Sequence, residues 1–386
     1  MKKIQFEGLK VPVYLFSDEK DKEALEQVFS LARTHIPDGH IALMPDYHLG
    51  YGVPIGTVFA SERFVVPNAV GVDIGCGVYV IETSLNVQDF MEKKEKICES
   101  VFEAIPTGFK WNKKCVQSNI YLNMPLNEIL IREKRNSQKQ LGTLGGGNHF
   151  IEFQKDSSGK IYIMLHCGSR NLGKQVADHY HGIAFSMLKK DNPNDVPADL
   201  AFLEINSNKG REYLNSMNFC VLFAKENRRL IGEKIIYILK KYFKDIEYDV
   251  FDVNHNFANM EIVDDKRLLV HRKGALSANK GEKVVIPGSM GSSSYILSGK
   301  GNTLSFCSCS HGAGRSMSRK KAKQEFSSVE VITQLNNKSI TVYTENKKFL
   351  PEESEFAYKD IEKIIALQKD LVEVIKRVHP VAVIKG

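Results

Sequence analysis

Leu141-Gly-Thr-Leu-Gly145-Gly-Gly147-Asn-His149-Phe-Ile-Glu152, followed by the apolar run Ile161-Tyr-Ile-Met-Leu165 and then His166-Cys-Gly-Ser-Arg170, is the stretch from which the fold is read. Three consecutive glycines ahead of Asn-His make a backbone-lined hollow suited to phosphate oxygens. The run behind it reads as a strand that leaves His166 at its end, where ligands often sit. The same texture occurs twice more. One window runs from Met44-Pro-Asp46-Tyr-His48-Leu-Gly50-Tyr-Gly52 to Val70-Gly-Val-Asp73-Ile-Gly-Cys76-Gly-Val78, and another from His271-Arg-Lys-Gly-Ala275 to Ser310-His311-Gly-Ala-Gly-Arg315. Most of the 28 glycines fall in these windows, where the backbone needs positive φ or must approach something closely.

Short β-rich runs adjoin the windows, at 53–60, 78–83, 162–165, 283–287 and 339–344. Helical spacing fills the intervals at 85–140 and 211–245. In 211–245 the charges of Arg228, Arg229, Lys240, Lys241 and Lys244 read as a solvated face. The clearest helix is expected over 360–378, with Ile361, Ile364, Ile365, Leu371, Ile375 and Val378 on one side, Asp360 as N-cap and Pro380 as stop. No repeat, low-complexity tract or long linker interrupts the pattern. The expectation is a single α+β unit over residues 1–386, its three glycine-rich windows converging on one composite site.

Composition bounds the function. At 386 residues, 42% hydrophobic and 26% charged, the chain is an ordinary globular protein and not a disordered one. No apolar stretch approaches a transmembrane span, and the N-terminal Met1-Lys-Lys-Ile-Gln-Phe-Glu7 lacks the apolar run of a secretory signal. Seven scattered cysteines without a C-x-x-C pair point to a reducing, cytoplasmic setting. The net charge of +7 permits an anionic partner such as nucleic acid without requiring one.

Common nucleotide motifs fail. Gly168-Ser-Arg-Asn-Leu-Gly-Lys-Gln175 resembles a P-loop but ends in Gln where a hydroxyl should hold Mg²⁺. No G-x-G-x-x-G opens a helix after a strand, no H-E-x-x-H is present, and no Lys-x-Asp-Gly offers a nucleotidylated lysine. What remains is a set of metal donors: Asp73 and Cys76 three apart between glycines, with His149, His166 and His255 in separate windows. Taken alone, Cys76 is equally a small buried hydrophobe and Asp73 a turn residue. Together, a thiolate, a carboxylate and three imidazoles are ligands for a transition metal. The loop around His311 suits an accessible nucleophile. Pro287-Gly-Ser-Met-Gly-Ser-Ser-Ser294 offers N–H groups and hydroxyls to a polyphosphate, with Arg272, Lys273 and Arg315 placed to balance its charge.

These blocks carry a resemblance. Pro45-Asp-x-His-x-Gly50, Gly71-Val-Asp-Ile-Gly-Cys-Gly77, Gly147-Asn-His-Phe150, Gly168-Ser-Arg170, Asn254-His-Asn256, His271-Arg-Lys-Gly-Ala275, Pro287-Gly-Ser-Met-Gly291, His311-Gly-Ala-Gly-Arg315 and Val383-Ile-Lys-Gly386 are similar, in order, to those of the RtcB family of GTP-dependent RNA ligases. The resemblance implies one compact α+β domain with mixed sheets and flanking helices around a deep metal- and nucleotide-binding cleft. It implies two Mn²⁺ ions bridged by Cys76, with His149 completing one and Asp73, His166 and His255 the other. GTP would be the nucleotide and His311 the residue that takes GMP. Asn148, Glu152, Asn256, Ser289, Ser294, Gly312, Gly314, Tyr358 and Lys385 would hold the guanosine nucleotide, with Glu152 and Lys385 reading the base. The implied partner is RNA with a 3′-phosphate or 2′,3′-cyclic phosphate end and a 5′-hydroxyl end, as in tRNA splicing or RNA repair. An activating partner protein is compatible with this, and no membrane is involved. Two other readings stay open at this point: a metal phosphoesterase that only opens cyclic ends, and an RNA-binding relative without catalysis.

Overall fold

Two twisted sheets are built from the β-branched runs of the chain. In the computed structural model, which describes residues 1–191 and 196–386, the first sheet has six strands. Their order is Lys2–Ile4, Val13–Leu15, Asp38–His48, Ile55–Ser61, Lys266–Lys273 and Asn256–Val263. The second runs Tyr248–Asn254, Gly77–Asn86, Lys160–Cys167, Phe150–Asp156, Val372–Lys385, Ser294–Gly299 and Lys283–Ile286, with Thr341–Tyr343 pairing parallel to Val372–Lys385. The strand Tyr248–Asn254 closes one sheet and Asn256–Val263 opens the other, so His255 is the corner between them.

Helices cover the sheets. The interval 211–245 is one helix, Asn208–Tyr242, capped by Ser207, whose side chain accepts from Gly210 N–H. Its Ile231, Ile235, Ile238 and Leu239 pack with Ile81, Ile163 and Leu165 of the second sheet. At roughly 1.5–3 kcal/mol for each large apolar side chain fully buried, this face anchors the helix strongly. The interval 85–140 holds two helices, Val87–Ala104 and Glu128–Gln140, joined by a largely irregular segment. No helix among the described residues is long and apolar enough to cross a membrane. The α+β class expected from the sequence is the one observed.

The C-terminal segment departs from expectation. Asp360 does cap a helix, its side chain accepting from Glu362 N–H, but the helix ends at Leu367, and Val372–Lys385 is a strand. Leu371, Ile375 and Val378 fit a helical stripe, yet the β-branched Val372, Val374, Ile375 and Val378 favour a strand once two neighbours offer backbone partners. Phe150–Asp156 lies on one side and Ser294–Gly299 on the other. Pro380 does not stop the element. It falls at the register shift between Pro380 and Ala382, where a missing N–H breaks no regular ladder bond.

Candidate metal and nucleotide site

The donor residues sit where neighbouring strands of the second sheet end together. Gly77, just after Cys76, pairs with Cys167 on one side and Asn254 on the other, while Phe150, just after His149, pairs with His166. Register alone therefore gathers Cys76, His149, His166 and His255. Cys76 Sγ lies 3.2 Å from His166 Nε2 and 3.6 Å from His149 Nε2, and His166 Nε2 is 3.5 Å from His255 Nε2. Asp73 Oδ2 is 2.9 Å from His149 Nε2.

Two triads result, Asp73–Cys76–His149 and Cys76–His166–His255, each with its ligand atoms within 4.8 Å of one another. Cys76 belongs to both. Asp73 lies against His149, and Gly168 lets the end of the strand Lys160–Cys167 close over its carboxylate. A Cβ on Gly168 would lie 2.2 Å from Asp73 Oδ1, and that oxygen accepts from Ser169 N–H at 3.1 Å.

The residues fit a divalent cation. His149 Nδ1 is 3.0 Å from Leu144 O and His166 Nδ1 is 3.0 Å from Asn148 O. Each carbonyl selects the Nδ1–H tautomer and turns Nε2 to the cluster as a free ligand. Without a cation, burial and the Asp73 carboxylate push the Cys76 thiol up to about 12. Asp73 resists burial through its bond to His149 and is lowered to about 2. A cation would replace the shared proton and stabilise the thiolate.

Arg228 holds this cluster together, and sequence reading missed it. On the helix Asn208–Tyr242 it was expected on a solvated face, yet it is fully buried. Its guanidinium forks onto Asp252 at 2.5 and 2.9 Å and donates to Gly75 O, Cys167 O and Asn254 Oδ1. Those acceptors adjoin Cys76, His166 and His255, so one side chain fixes the spacing of three donor segments. Breaking such a buried pair costs on the order of 3–5 kcal/mol. No local pattern reveals it, because the acceptors come from three distant segments.

His311 follows the short strand Ser308–Ser310 and packs its ring against His255, centroids 4.8 Å apart. Its Nδ1 is 2.6 Å from Asp46 Oδ2, which also accepts from His311 N–H at 3.1 Å. Burial alone would raise Asp46, but the imidazole beside it outweighs burial and holds the carboxyl below its ordinary value. With Nδ1–H donating to Asp46, the lone pair is on Nε2. Gly314 permits this approach. It has φ +75°, and a Cβ there would lie 2.2 Å from Asp46 O.

A cavity of about 340 Å³ opens in front of His311 and reaches His166. The family model described as tRNA-splicing ligase RtcB matches this chain in two overlapping segments, 27–136 and 122–386. The chain belongs to the RtcB family. An RNA-splicing ligase RtcB1 of Escherichia coli is 35% identical over 392 aligned residues, covering 95% of each chain. The RNA-splicing ligase RtcB of Escherichia coli strain K12 is 34% identical with the same coverage. A tRNA-splicing ligase RtcB of Nanoarchaeum equitans is 32% identical over 461 aligned residues, covering 98% of this chain and 96% of its own.

Of the nucleotide residues implied by the RtcB resemblance, Asn148, Glu152, Ser289, His311, Gly312, Gly314, Tyr358 and Lys385 line the cavity. Asn256 and Ser294 do not. Asn256 donates to Asp73 O and accepts from Gly274 N–H. Ser294 Oγ accepts from Gly288 N–H and Gln154 Nε2, setting the Gly/Ser loop from behind. Arg272 and Lys273, expected to balance phosphate charge, are also spent internally. Arg272 forks onto Glu261, and Lys273 Nζ donates to Tyr51 O and Val53 O. Arg315 does line the cavity.

Two further acidic residues matter that the sequence did not single out for a role. Asp46 was visible only as part of a motif. Glu353 accepts from Lys385 Nζ at 3.1 Å and from Tyr358 Oη at 2.6 Å, which places the Lys385 ammonium at the cavity wall. Lys385 is held there because the final strand pairs it with Phe150. Burial pushes Glu152 up to about 7, although the Gln154 amide and the Lys385 ammonium pull it back.

Proposed function

We propose that the chain is a GTP- and Mn²⁺-dependent RNA ligase that joins 3′-phosphate or 2′,3′-cyclic phosphate ends to 5′-hydroxyl ends through a covalent His311–GMP intermediate. The supporting observation is the Asp46–His311 pair, set beside a two-part donor cluster whose His166 lines the same cavity as His311. His311 Nε2 attacks the α-phosphorus of GTP, the new N–P bond forms and pyrophosphate leaves. The Nδ1 proton stays between His311 and Asp46, whose carboxylate offsets the charge that develops on the ring. With divalent cations held by Asp73, Cys76, His149, His166 and His255, the chemistry supplied is polarisation of phosphate oxygens and neutralisation of charge.

A cyclic end is first opened by water, which attacks its phosphorus and releases the 2′-oxygen as a hydroxyl, leaving a 3′-monophosphate. An oxygen of that phosphate then attacks the phosphorus of the His311-bound GMP, the N–P bond breaks, and His311 departs neutral. The 5′-hydroxyl finally attacks the activated 3′-phosphate, and GMP leaves. Glu152 and Lys385 flank the base end of the cavity, where a carboxylate acceptor and an ammonium donor match the guanine edge. A phosphoesterase limited to cyclic ends would use the donor cluster but would leave the Asp46–His311 pair without a task.

The test is incubation of the protein with [α-³²P]GTP and Mn²⁺. Acid-labile label should appear on the protein and be chased by an oligoribonucleotide ending in 3′-phosphate. A protein that stays unlabelled while opening cyclic ends would be the phosphoesterase.

The apparent affinity for GTP should rise as pH goes from 6 to 8. Burial holds Glu152 at about 7 in the folded chain, above its ordinary 4.5, and only the carboxylate can accept from both guanine N–H groups at once. Below pH 7 its proton must be lost on binding, which costs about 1.4 kcal/mol, or tenfold in affinity, per pH unit. The effect on folding has the opposite sense. The contribution of neutral Glu152 to stability is complete below about 4.5 and is lost by about 7. Binding curves for GTP across this range, with Glu152→Gln as control, should show the slope in wild type only. A flat wild-type profile would remove Glu152 from base recognition.

A further inference from the structure

A second cavity, of about 900 Å³, adjoins the nucleotide cavity and shares Arg319, Glu353 and Lys385 with it. Three aromatic side chains that the core does not use line it: Phe109 is 97% exposed, Trp111 43% and Phe349 41%. Leaving a phenylalanine in water forgoes burial that folding otherwise rewards, so such a side chain on a cavity rim points to a ligand. The segment Phe109-Lys-Trp-Asn-Lys-Lys114 interleaves two of these rings with three lysines.

Cationic side chains outnumber the three carboxylate side chains that also line the cavity, Glu345, Glu352 and Glu353, which fits an anionic ligand. Arg170 reaches Gly108 O at 3.4 Å and Thr143 Oγ1 at 3.3 Å and has no carboxylate partner among the described residues. Lys110 pairs with Glu345 only at the surface, where an ion pair is worth little and yields readily to phosphate. Gly146 and Gly147 form part of the lining and lead directly to Asn148 and His149.

We propose that this cavity is a base-stacking subsite for the single-stranded end of the RNA, which runs along it towards His311. The proposal rests on the ligase reading above, since a strand whose terminal phosphate reaches His311 needs a continuous path away from it. Aromatic faces stack bases irrespective of sequence, and interleaved cations follow the backbone. A protein partner would have no need of cations alternating with rings beside a phosphate-handling site.

Trp111 is the sole tryptophan of the chain, so intrinsic fluorescence reports on the subsite directly. The full chain is titrated, without GTP, with a single-stranded oligoribonucleotide ending in 3′-phosphate. Saturable quenching is expected, weaker at high salt, and lost when the terminal nucleotides are abasic. By anisotropy of a labelled oligonucleotide, Trp111→Ala and Phe109→Ala should each weaken binding roughly tenfold. Trp111→Phe should hold it within about twofold, and the unfolding temperature of all three should match wild type. Bound oligonucleotide without quenching, or equal affinity for the abasic strand, would overturn the stacking subsite. If quenching occurs but GTP never labels the protein, the subsite stands and the ligase reading falls. If GTP labels the protein but Trp111 does not respond to RNA, the subsite alone is refuted.

Discussion

His311→Ala is expected to abolish both labelling by GTP and RNA joining while leaving the metal content close to wild type. No other group in the cavity combines a free imidazole lone pair with a carboxylate that fixes its tautomer. Removing the nucleophile from a site whose other parts remain typically costs 10³-fold or more in rate. Metal content should survive, because His311 meets the donor cluster only by packing on His255 and lies outside both triads. The substitution does leave Asp46 buried without its partner. Folding should therefore be checked by circular dichroism, and the double variant carrying Asp46→Asn as well should recover part of any lost stability without regaining label. Radiolabel persisting in His311→Ala, on a lysine, would sink the assignment.

Cys76→Ala should strip both metal equivalents, whereas His149→Ala should remove chiefly one. The reason is geometric: Cys76 Sγ is the single atom common to the two triads. Its loss leaves Asp73 with His149 and His166 with His255, two ligands apiece. Thiolate and imidazole donors also suit Zn²⁺, which binds such sites more tightly than Mn²⁺. Added Zn²⁺ should thus displace Mn²⁺ from wild type and inhibit. Elemental analysis after dialysis checks both statements, and two full equivalents retained by Cys76→Ala would contradict a shared thiolate.

Much of the site was legible because its chemistry is local. Cys76 stands between glycines, His149 follows three glycines, and His311 precedes Gly-Ala-Gly. Such short windows fix backbone shape and donor type together. Asn256 and Ser294 lie in equally clear windows, and their side chains hydrogen-bond to the backbone of Asp73 and Gly288 without lining the cavity. A polar side chain in a motif has the same letter whether it faces a ligand or a loop. Arg228 and Glu353 were illegible for the converse reason, since neither belongs to a motif and each acquires its role from groups far away in the chain.

The segment 360–385 shows the same division. Its apolar residues satisfy a helical period as far as Val378, and nothing within the segment reports the two strands that flank it. Backbone pairing with Phe150–Asp156 and Ser294–Gly299 decides for a strand, and that strand delivers Lys385 to the cavity. The α+β class, the kinds of side chain in the glycine-rich windows and the family can be read from the residues alone, because these follow from composition, period and short motifs. The spacing of the donor atoms, the burial of Arg228 and the pairing of His311 Nδ1 with Asp46 emerge only in the folded chain. Those properties depend on distances between strand ends far apart in the chain, and sheet register sets them.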